Sequence, residues 1–521
     1  MYIAAKPISC NSYTYEIEVY KYGYPVSNLL MPLILSFGDG TVDEISLDNY
    51  SFFDDNNGRA ITIYKRVHTF PGAGIYDISL RFFNRSHDIR NMAHSINTPF
   101  YIESRIIIDP FLGCNSTPVL ENMTYLIKKG TNYMQDFSFT DIENDSLSFC
   151  FATPMQDDSI PVIDYQIPME YELELNNPIS RISLDPINGS MFLNAKNLEY
   201  TQSAVLQVNE WRKVNGEYYQ ISRTNLDFVI YYIETDNNTP EISQITDTAI
   251  IIGKEFRHLI VATDPDNDSI QLNSYGDLFQ FFDIVHNELS GYNPGPLEKS
   301  ISFSPVSENV RPLPYKAIFS VNDKSLDNNM SMYIWVADKA HIPDPVQYFT
   351  ARESGPGIIK LDWIDIDDEL GYIIERSDKF FPEYQRLVVL PAESISYYDS
   401  SVVAGNTYHY RIKAVGTSMS AFNTAEVSTT DVITSLYEIE KKRKLKLYPN
   451  PSNGSFSINY SAEKLIVDIH AISGKIIWSK EIDNQFQNSK NINISTGLSM
   501  GIYIMNIYSD NNTYIEKIMI N

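Results

Sequence analysis

The sharpest candidate for metal-ligating chemistry in this chain is Asp264-Pro265-Asp266-Asn267-Asp268, three carboxylates and an amide within one five-residue stretch. Clustered oxygen donors of this kind suit Ca²⁺, a hard cation that takes six to eight oxygen ligands. One turn supplies too few, so the remainder would come from a neighbouring junction such as Asp236-Asn237-Asn238. Asp264, Asp266 and Asp268 are therefore the candidate calcium ligands, and calcium is the one cofactor the sequence suggests. A weaker copy, Asp141, Glu143, Asn144 and Asp145, stands 123 residues earlier. Each stretch also reads as an acidic turn with no metal. That reading stays open for Asp264 to Asp268 and is preferred for the earlier copy.

Other chemistry finds no footing. The sequence contains no Gly-x-Ser-x-Gly elbow, no His-Glu-x-x-His, no phosphate-binding Gly loop and no Cys-x-x-Cys. His68 and His409 fall on strand-like runs and read as packed or solvated surface residues. Asp39, in Gly38-Asp39-Gly40, reads as a turn former with no visible acid-base partner. Pairing of carboxylates as in a glycosidase depends on a separation that only folding sets. No catalytic residue is assigned, and the expectation is a protein that is not an enzyme. The alternatives are a secreted hydrolase with accessory modules, or a carbohydrate-binding protein using Trp211 and Trp335; both tryptophans lie in strand-like runs, where core packing is the preferred role.

The elements that would position these residues are strands. Tyr, Phe, Ile, Val and Thr abound, Pro and Gly recur at short intervals, and no long stretch keeps a 3.6-residue apolar period. The 521 residues exceed one core and suggest several all-β domains. A net charge of −26 opposes binding to phosphate backbones or anionic lipid, so no nucleic-acid partner is expected. The tight basic cluster Lys441-Lys442-Arg443-Lys444 reads as an exposed, protease-accessible linker. No run of eighteen apolar residues exists, so no transmembrane helix is expected. Cys10, Cys114 and Cys150 allow at most one intramolecular disulfide, and their spacing identifies no pair.

Several motifs carry resemblances. Leu447-Tyr448-Pro449-Asn450-Pro451-Ser452-Asn453-Gly454, then His470-Ala471-Ile472-Ser473-Gly474-Lys475, then Leu498-Ser499-Met500-Gly501-Ile502-Tyr503 resemble, in sequence and order, the type A C-terminal sorting domain of the type IX secretion system of Bacteroidetes. Ser36-Phe37-Gly38-Asp39-Gly40-Thr41 with Gly74-Ile75-Tyr76-Asp77-Ile78 resembles a polycystic-kidney-disease (PKD) repeat, an immunoglobulin-like sandwich. With the stretch from Asn97 to Leu120 it resembles the N-terminal region of large surface proteins of gliding Bacteroidetes. There a second cysteine follows Cys114 by about a dozen residues; here Leu126-Ile127-Lys128-Lys129 stands instead. The two acidic turns sit in segments that look like cadherin-like or immunoglobulin-like modules in tandem. Ile359-Lys360-Leu361-Asp362-Trp363 and Tyr408-His409-Tyr410-Arg411-Ile412-Lys413-Ala414 resemble the core-Trp and corner-Tyr strands of a fibronectin type III domain, with Tyr408, Tyr410, Ile412 and Ala414 on one face.

The expected architecture is all-β, tandem immunoglobulin-like β-sandwiches in an elongated array. The divisions are 1–108 PKD-like, 109–237 and 238–344 cadherin-like, 345–432 fibronectin type III, 433–444 linker and 445–521 sorting domain. The resemblance implies export to the cell surface or medium, with the type IX machinery as one partner and an unknown extracellular glycan or protein as another. Adhesion, display or spacing would be the role. Such cargo first crosses the inner membrane by a cleaved signal peptide, and Met1-Tyr2-Ile3-Ala4-Ala5-Lys6-Pro7 lacks the apolar core of one, so a trimmed or mis-called start is expected.

Overall fold

The computed structural model describes residues 1–428 except 11, 24–32, 46–49, 55–59, 83, 87–88, 93, 122, 124–125, 159, 163–180, 195–200, 287–290, 356–357, 379–381, 400–401 and 403–404, and further on 446–448, 455–459, 464–471, 476–483, 491–498, 501–509 and 512–520. The chain forms two compact units, Met1–Thr430 and Asp431–Asn521. Both are built from strands, and the fold class is all-β, as expected. The linker expected at 433–444 and the Pro449-to-Gly454 turn lie outside the described residues.

In the first unit, Tyr2–Pro7, Thr14–Gly23, Ala60–Thr69 and Tyr50–Asp54 form an antiparallel sheet in that order. A longer ladder runs Ser146–Ala152, Gln202–Val214, Glu217–Ile233, Phe100–Ile108, Gly74–Phe82, Leu33–Ser36, Val42–Ile45. Between them lies a core of Ile3, Ala5, Ile17, Val19, Leu35, Ile78, Leu80 and Ile106, the alternate residues of facing strands. The ladder crosses position 108 without a break, because Glu217–Ile233 pairs with Phe100–Ile108 through Ser222↔Ile106 and Thr224↔Ser104. The first strand is buried on both faces: Ile3 and Ala5 serve that core, while Tyr2 and Ala4 join Leu120, Phe139, Phe149, Leu206 and Phe228 in a second one. This accounts for its nearly continuous apolar run.

Two segments repeat one connectivity. Leu126–Lys128 runs parallel to Glu217–Ile233, and Thr248–Ile251 runs parallel to Asp327–Ala337. Likewise Val119–Leu120 pairs with Phe139–Thr140, and Glu241–Ile242 with Phe256–Thr263. The later copy encloses Ile260, Ile270, Leu272, Phe319, Val321 and Ile334. Polar contacts tie it to its predecessor: Lys316 Nζ reaches buried Asp136 at 3.0 Å, Gly276 N–H donates to Glu121 at 2.7 Å, and Arg311 Nη1 donates to Asn144 at 2.6 Å.

The last sandwich of this unit sets Gln347–Gly355, Ile358–Ile364 and Ser396–Asp399 against Gln385–Pro391, Gly371–Asp378, Thr407–Val415 and Asn423–Ser428. Trp363 is 5% exposed, and Tyr408, Tyr410, Ile412 and Ala414 are all fully buried, so the alternation read from sequence places the core face correctly. Beneath them Arg376 Nη1 donates to Asp399 at 2.5 Å and Tyr410 OH donates to the same carboxylate at 2.8 Å. Trp335 is 1% exposed and belongs to a core, as preferred.

The second unit sets Lys446–Tyr448, Ser455–Asn459 and Asn491–Ser495 in one sheet and Ile476–Asp483, Lys464–Ala471, Gly501–Ser509 and Asn512–Ile520 in another. Val467, Ile469, Met505 and Ile518 are buried.

Candidate functional site

The acidic stretch at Asp264 folds as a tight turn between Phe256–Thr263 and Ser269–Tyr275. Asp264 Oδ1 accepts from the N–H groups of Asp266 at 2.8 Å and Asp268 at 3.0 Å, and Asn267 takes φ 64°. Asn tolerates this left-handed conformation, which is why an amide stands there. The three carboxylates place ligand oxygens within 4.8 Å of one another. Asp264 is 9% exposed, and its Oδ2 has no hydrogen-bond donor. Asp266 is committed elsewhere, accepting from Asn238 N–H at 2.6 Å and Asn238 Nδ2 at 2.8 Å, which pins the polar stretch before Pro240. Those bonds hold its carboxyl below the usual range.

The earlier copy is the same turn. Asp141 Oδ1 accepts from Asp145 N–H at 2.7 Å, and Asn144 has φ 63°. Its surroundings are different. The register Leu147↔Glu210 sets the turn beside Glu210, a fully buried residue of Gln202–Val214. Asp141, Asp145 and Glu210 bring one oxygen each within 4.8 Å of the others. Glu210 Oε2 accepts from Asn115 Nδ2 at 2.9 Å and from Ser222 Oγ. Arg212 clamps Asp145 and donates to the carbonyls of Leu112 at 2.8 Å and Cys114 at 2.7 Å. Glu143 accepts from Ser116 N–H at 3.2 Å. Two oxygens remain, Asp141 Oδ2 and Glu210 Oε1, both buried and without a donor. Burial foremost pushes the Asp141 carboxyl up to about 6. Glu210 is pushed well above its ordinary value by burial and then by the charge of Asp141. Glu210 was missed in sequence because it lies in a strand with no acidic neighbour; its polarity at an inward position, between Val208 and the half-buried Trp211, is the one local signal.

A third acidic group, Asp365, Glu369 and Glu393, was also missed, being spread over two loops. There Tyr372 OH donates to Asp365 at 2.8 Å and Glu393 N–H to Glu369 at 2.9 Å.

Asp39 has the partner that the sequence did not reveal. His68 Nε2 lies 2.8 Å from its Oδ2, and the imidazole stacks on Phe37 with centroids 3.8 Å apart. Thr41 N–H donates to the other oxygen at 2.9 Å. Burial raises the Asp39 carboxyl, but the bonds from Thr41 and His68 outweigh it and hold it low. The group ties the glycine turn to the sheet. Gly38 has φ 79°, and a Cβ there would meet Asp77 N at 2.6 Å, so no larger residue fits. His409 lies 3.4 Å from Glu426 on a half-exposed strand face. Trp211 departs from the expected core role: it is half-buried and its Nε1 donates to Ser148 Oγ at 2.9 Å.

The cysteines resolve into a bridge between Cys10 and Cys114, with Cα atoms 5.1 Å apart, while Cys150 is exposed and outside the bridge. Among the described residues no helix is long and apolar enough to cross a membrane.

Residues 446–521 match the family of secretion system C-terminal sorting domains. No curated protein matches the chain. Similar solved structures include three domains of titin (10% identity over 60% of this chain and 99% of that one, TM-score 0.16). The FN1-FN3 domains of chicken CNTN1 share 12% identity over 54% of this chain and 97% of that one, at TM-score 0.17. A mutant of the SrpA adhesin of Streptococcus sanguinis shares 14% over 25% and 89%, also at 0.17. Scores this low carry no weight for the fold, which rests on the strand ladders themselves. The C-terminal match does carry weight: this chain ends in a secretion sorting domain, and it is a secreted or cell-surface protein made of tandem β-sandwiches.

Proposed function

We propose that the chain is a non-catalytic surface or secreted protein of a Bacteroidetes cell, exported by the type IX machinery through residues 445–521 and acting by adhesion, display or spacing. The match of residues 446–521 to sorting domains carries this reading. The bridge between Cys10 and Cys114 fits it, since disulfides persist in oxidising compartments. Trp363 and Tyr408 serve a core and Asp39 a turn, roles that suit contact modules. The proposed division is the six segments 1–108, 109–237, 238–344, 345–432, 433–444 and 445–521, with PKD-like, cadherin-like and fibronectin-like character in the first four. The test is export: residues 435–521 fused behind a signal peptide and a fluorescent reporter are expected outside a type IX-competent cell. A reporter retained in the periplasm, under conditions where a known sorting domain exports it, overturns the reading.

Calcium at Asp264, Asp266 and Asp268 is part of the same proposal. The donor-less Asp264 Oδ2 supports it, and the bond from Asn238 to Asp266 would couple the ion to the segment that precedes Pro240. Replacing Asp266 and Asp268 by Asn is expected to reduce any calcium-dependent rise in melting temperature; an identical rise in the variant removes this site.

A further inference from the structure

We propose that Asp141, Asp145 and Glu210 hold a second, internal site for one hard divalent cation of calcium's size, independent of the Asp264 turn. Three carboxylate oxygens within 4.8 Å of one another fit a shared ion. Calcium–oxygen distances of about 2.3–2.6 Å put oxygens on opposite sides of an ion about 4.6–5.2 Å apart and adjacent ones closer. The site is enclosed, with Asp141 6% exposed and Glu210 fully buried. Asp141 Oδ2 and Glu210 Oε1 receive no N–H or O–H from a residue other than each other's carboxyl, although every other carboxylate oxygen named around them is committed to a donor. Their positions are fixed from behind, Asp141 by the N–H of Asp145 and Glu210 by Asn115 and Ser222.

The local charge points the same way. Among the described residues, the one guanidinium in an ion pair with Asp141, Glu143, Asp145 or Glu210 is Arg212, whose remaining donors are spent on Leu112, Cys114 and Asn115, while Arg311 reaches only the Asn144 amide of the turn. Uncompensated buried carboxylates cost several kcal/mol each. A divalent cation between the two donor-less oxygens removes most of that imbalance and gives each its missing partner. The three carboxylates supply three convergent oxygens, one each, toward the six to eight that calcium takes. A bound ion would join the turn to the central ladder beside the bridge at Cys114.

The experiment uses the full chain, stripped with chelator and titrated with calcium chloride by isothermal calorimetry, with melting curves in parallel. Three proteins are compared: the parent, Asp266→Asn/Asp268→Asn, and Glu210→Gln. The proposal expects the parent and the Asp266→Asn/Asp268→Asn variant to share one calcium-binding event, and Glu210→Gln to weaken that event at least about tenfold. Glu210→Gln removes a buried charge and keeps the side-chain shape, so it should fold, as circular dichroism in chelator would verify. Asp141→Asn is the second variant and is expected to show the same loss. Calcium binding that survives Glu210→Gln and Asp141→Asn unchanged overturns the proposal. So does a parent with no calcium response while Glu210→Gln raises its melting temperature in chelator, which would mean that the two carboxyls close on a shared proton alone.

Discussion

Removing the Cys10–Cys114 bridge should weaken one part of the first unit and leave another untouched. The bridge joins the connection after Tyr2–Pro7 to the loop after Phe100–Ile108 and closes a segment of 104 residues. Loop-closure entropy for a segment this long amounts to about 4.7 kcal/mol at 25 °C, with about 2–5 kcal/mol lost in practice when native bridges are removed. Domains are stable by only about 5–15 kcal/mol, so the change is large. It acts where the first strand is held between two cores, Ile3 and Ala5 on one side and Tyr2 and Ala4 on the other. The bridge is backed there by Ala5 N–H donating to Thr117 Oγ1 at 2.8 Å. Cys10→Ser/Cys114→Ser is compared with Cys150→Ser, which alters an exposed cysteine outside the bridge. Native-state hydrogen exchange read by mass spectrometry resolves the effect by segment. Amides of Thr14–Gly23, Ala60–Thr69 and Phe100–Ile108 are expected to lose about 2–5 kcal/mol of protection. Those of Gly371–Asp378 and the whole Cys150→Ser protein should change by less than about 0.5 kcal/mol. Unchanged protection in the first three strands, or an equal loss in Gly371–Asp378, would refute the argument.

Trp363→Ala should cost about 3–5 kcal/mol, because it empties a core that Phe349 and Tyr372 line; denaturant unfolding measures it. Asp399→Asn should cost about 3–5 kcal/mol by the same assay, since it removes the carboxylate charge bonded to the 7%-exposed Arg376 side chain. In chelator, the raised Asp141 carboxyl contributes stability below its unfolded value near 4 and loses it as pH rises through about 6. The parent should therefore melt progressively lower than Glu210→Gln between pH 4 and pH 7, and parallel melting profiles would contradict the assigned direction.

The all-β class was legible in composition, and so was the core face Tyr408-Tyr410-Ile412-Ala414, because a period of two writes burial directly into local order. The paired turns at Asp141 and Asp264 were legible for the same reason: a short Asx turn is fixed by its own Asp, Asn and backbone amides. The secretion tail was legible because its motifs recur in order. What local pattern does not encode is contact between residues far apart in the chain. Cys10 chose Cys114 over Cys150 only when the sandwich brought their Cα atoms to 5.1 Å. His68 met Asp39 across 29 positions through the packing of one sheet on the other, and Glu210 met Asp141 across 69 positions through sheet register. The sequence therefore marked the exposed turn at Asp264 as the stronger acidic site. Burial made the other turn the more demanding one: beside Glu210 two carboxylate oxygens are sealed from water with no donor to meet them.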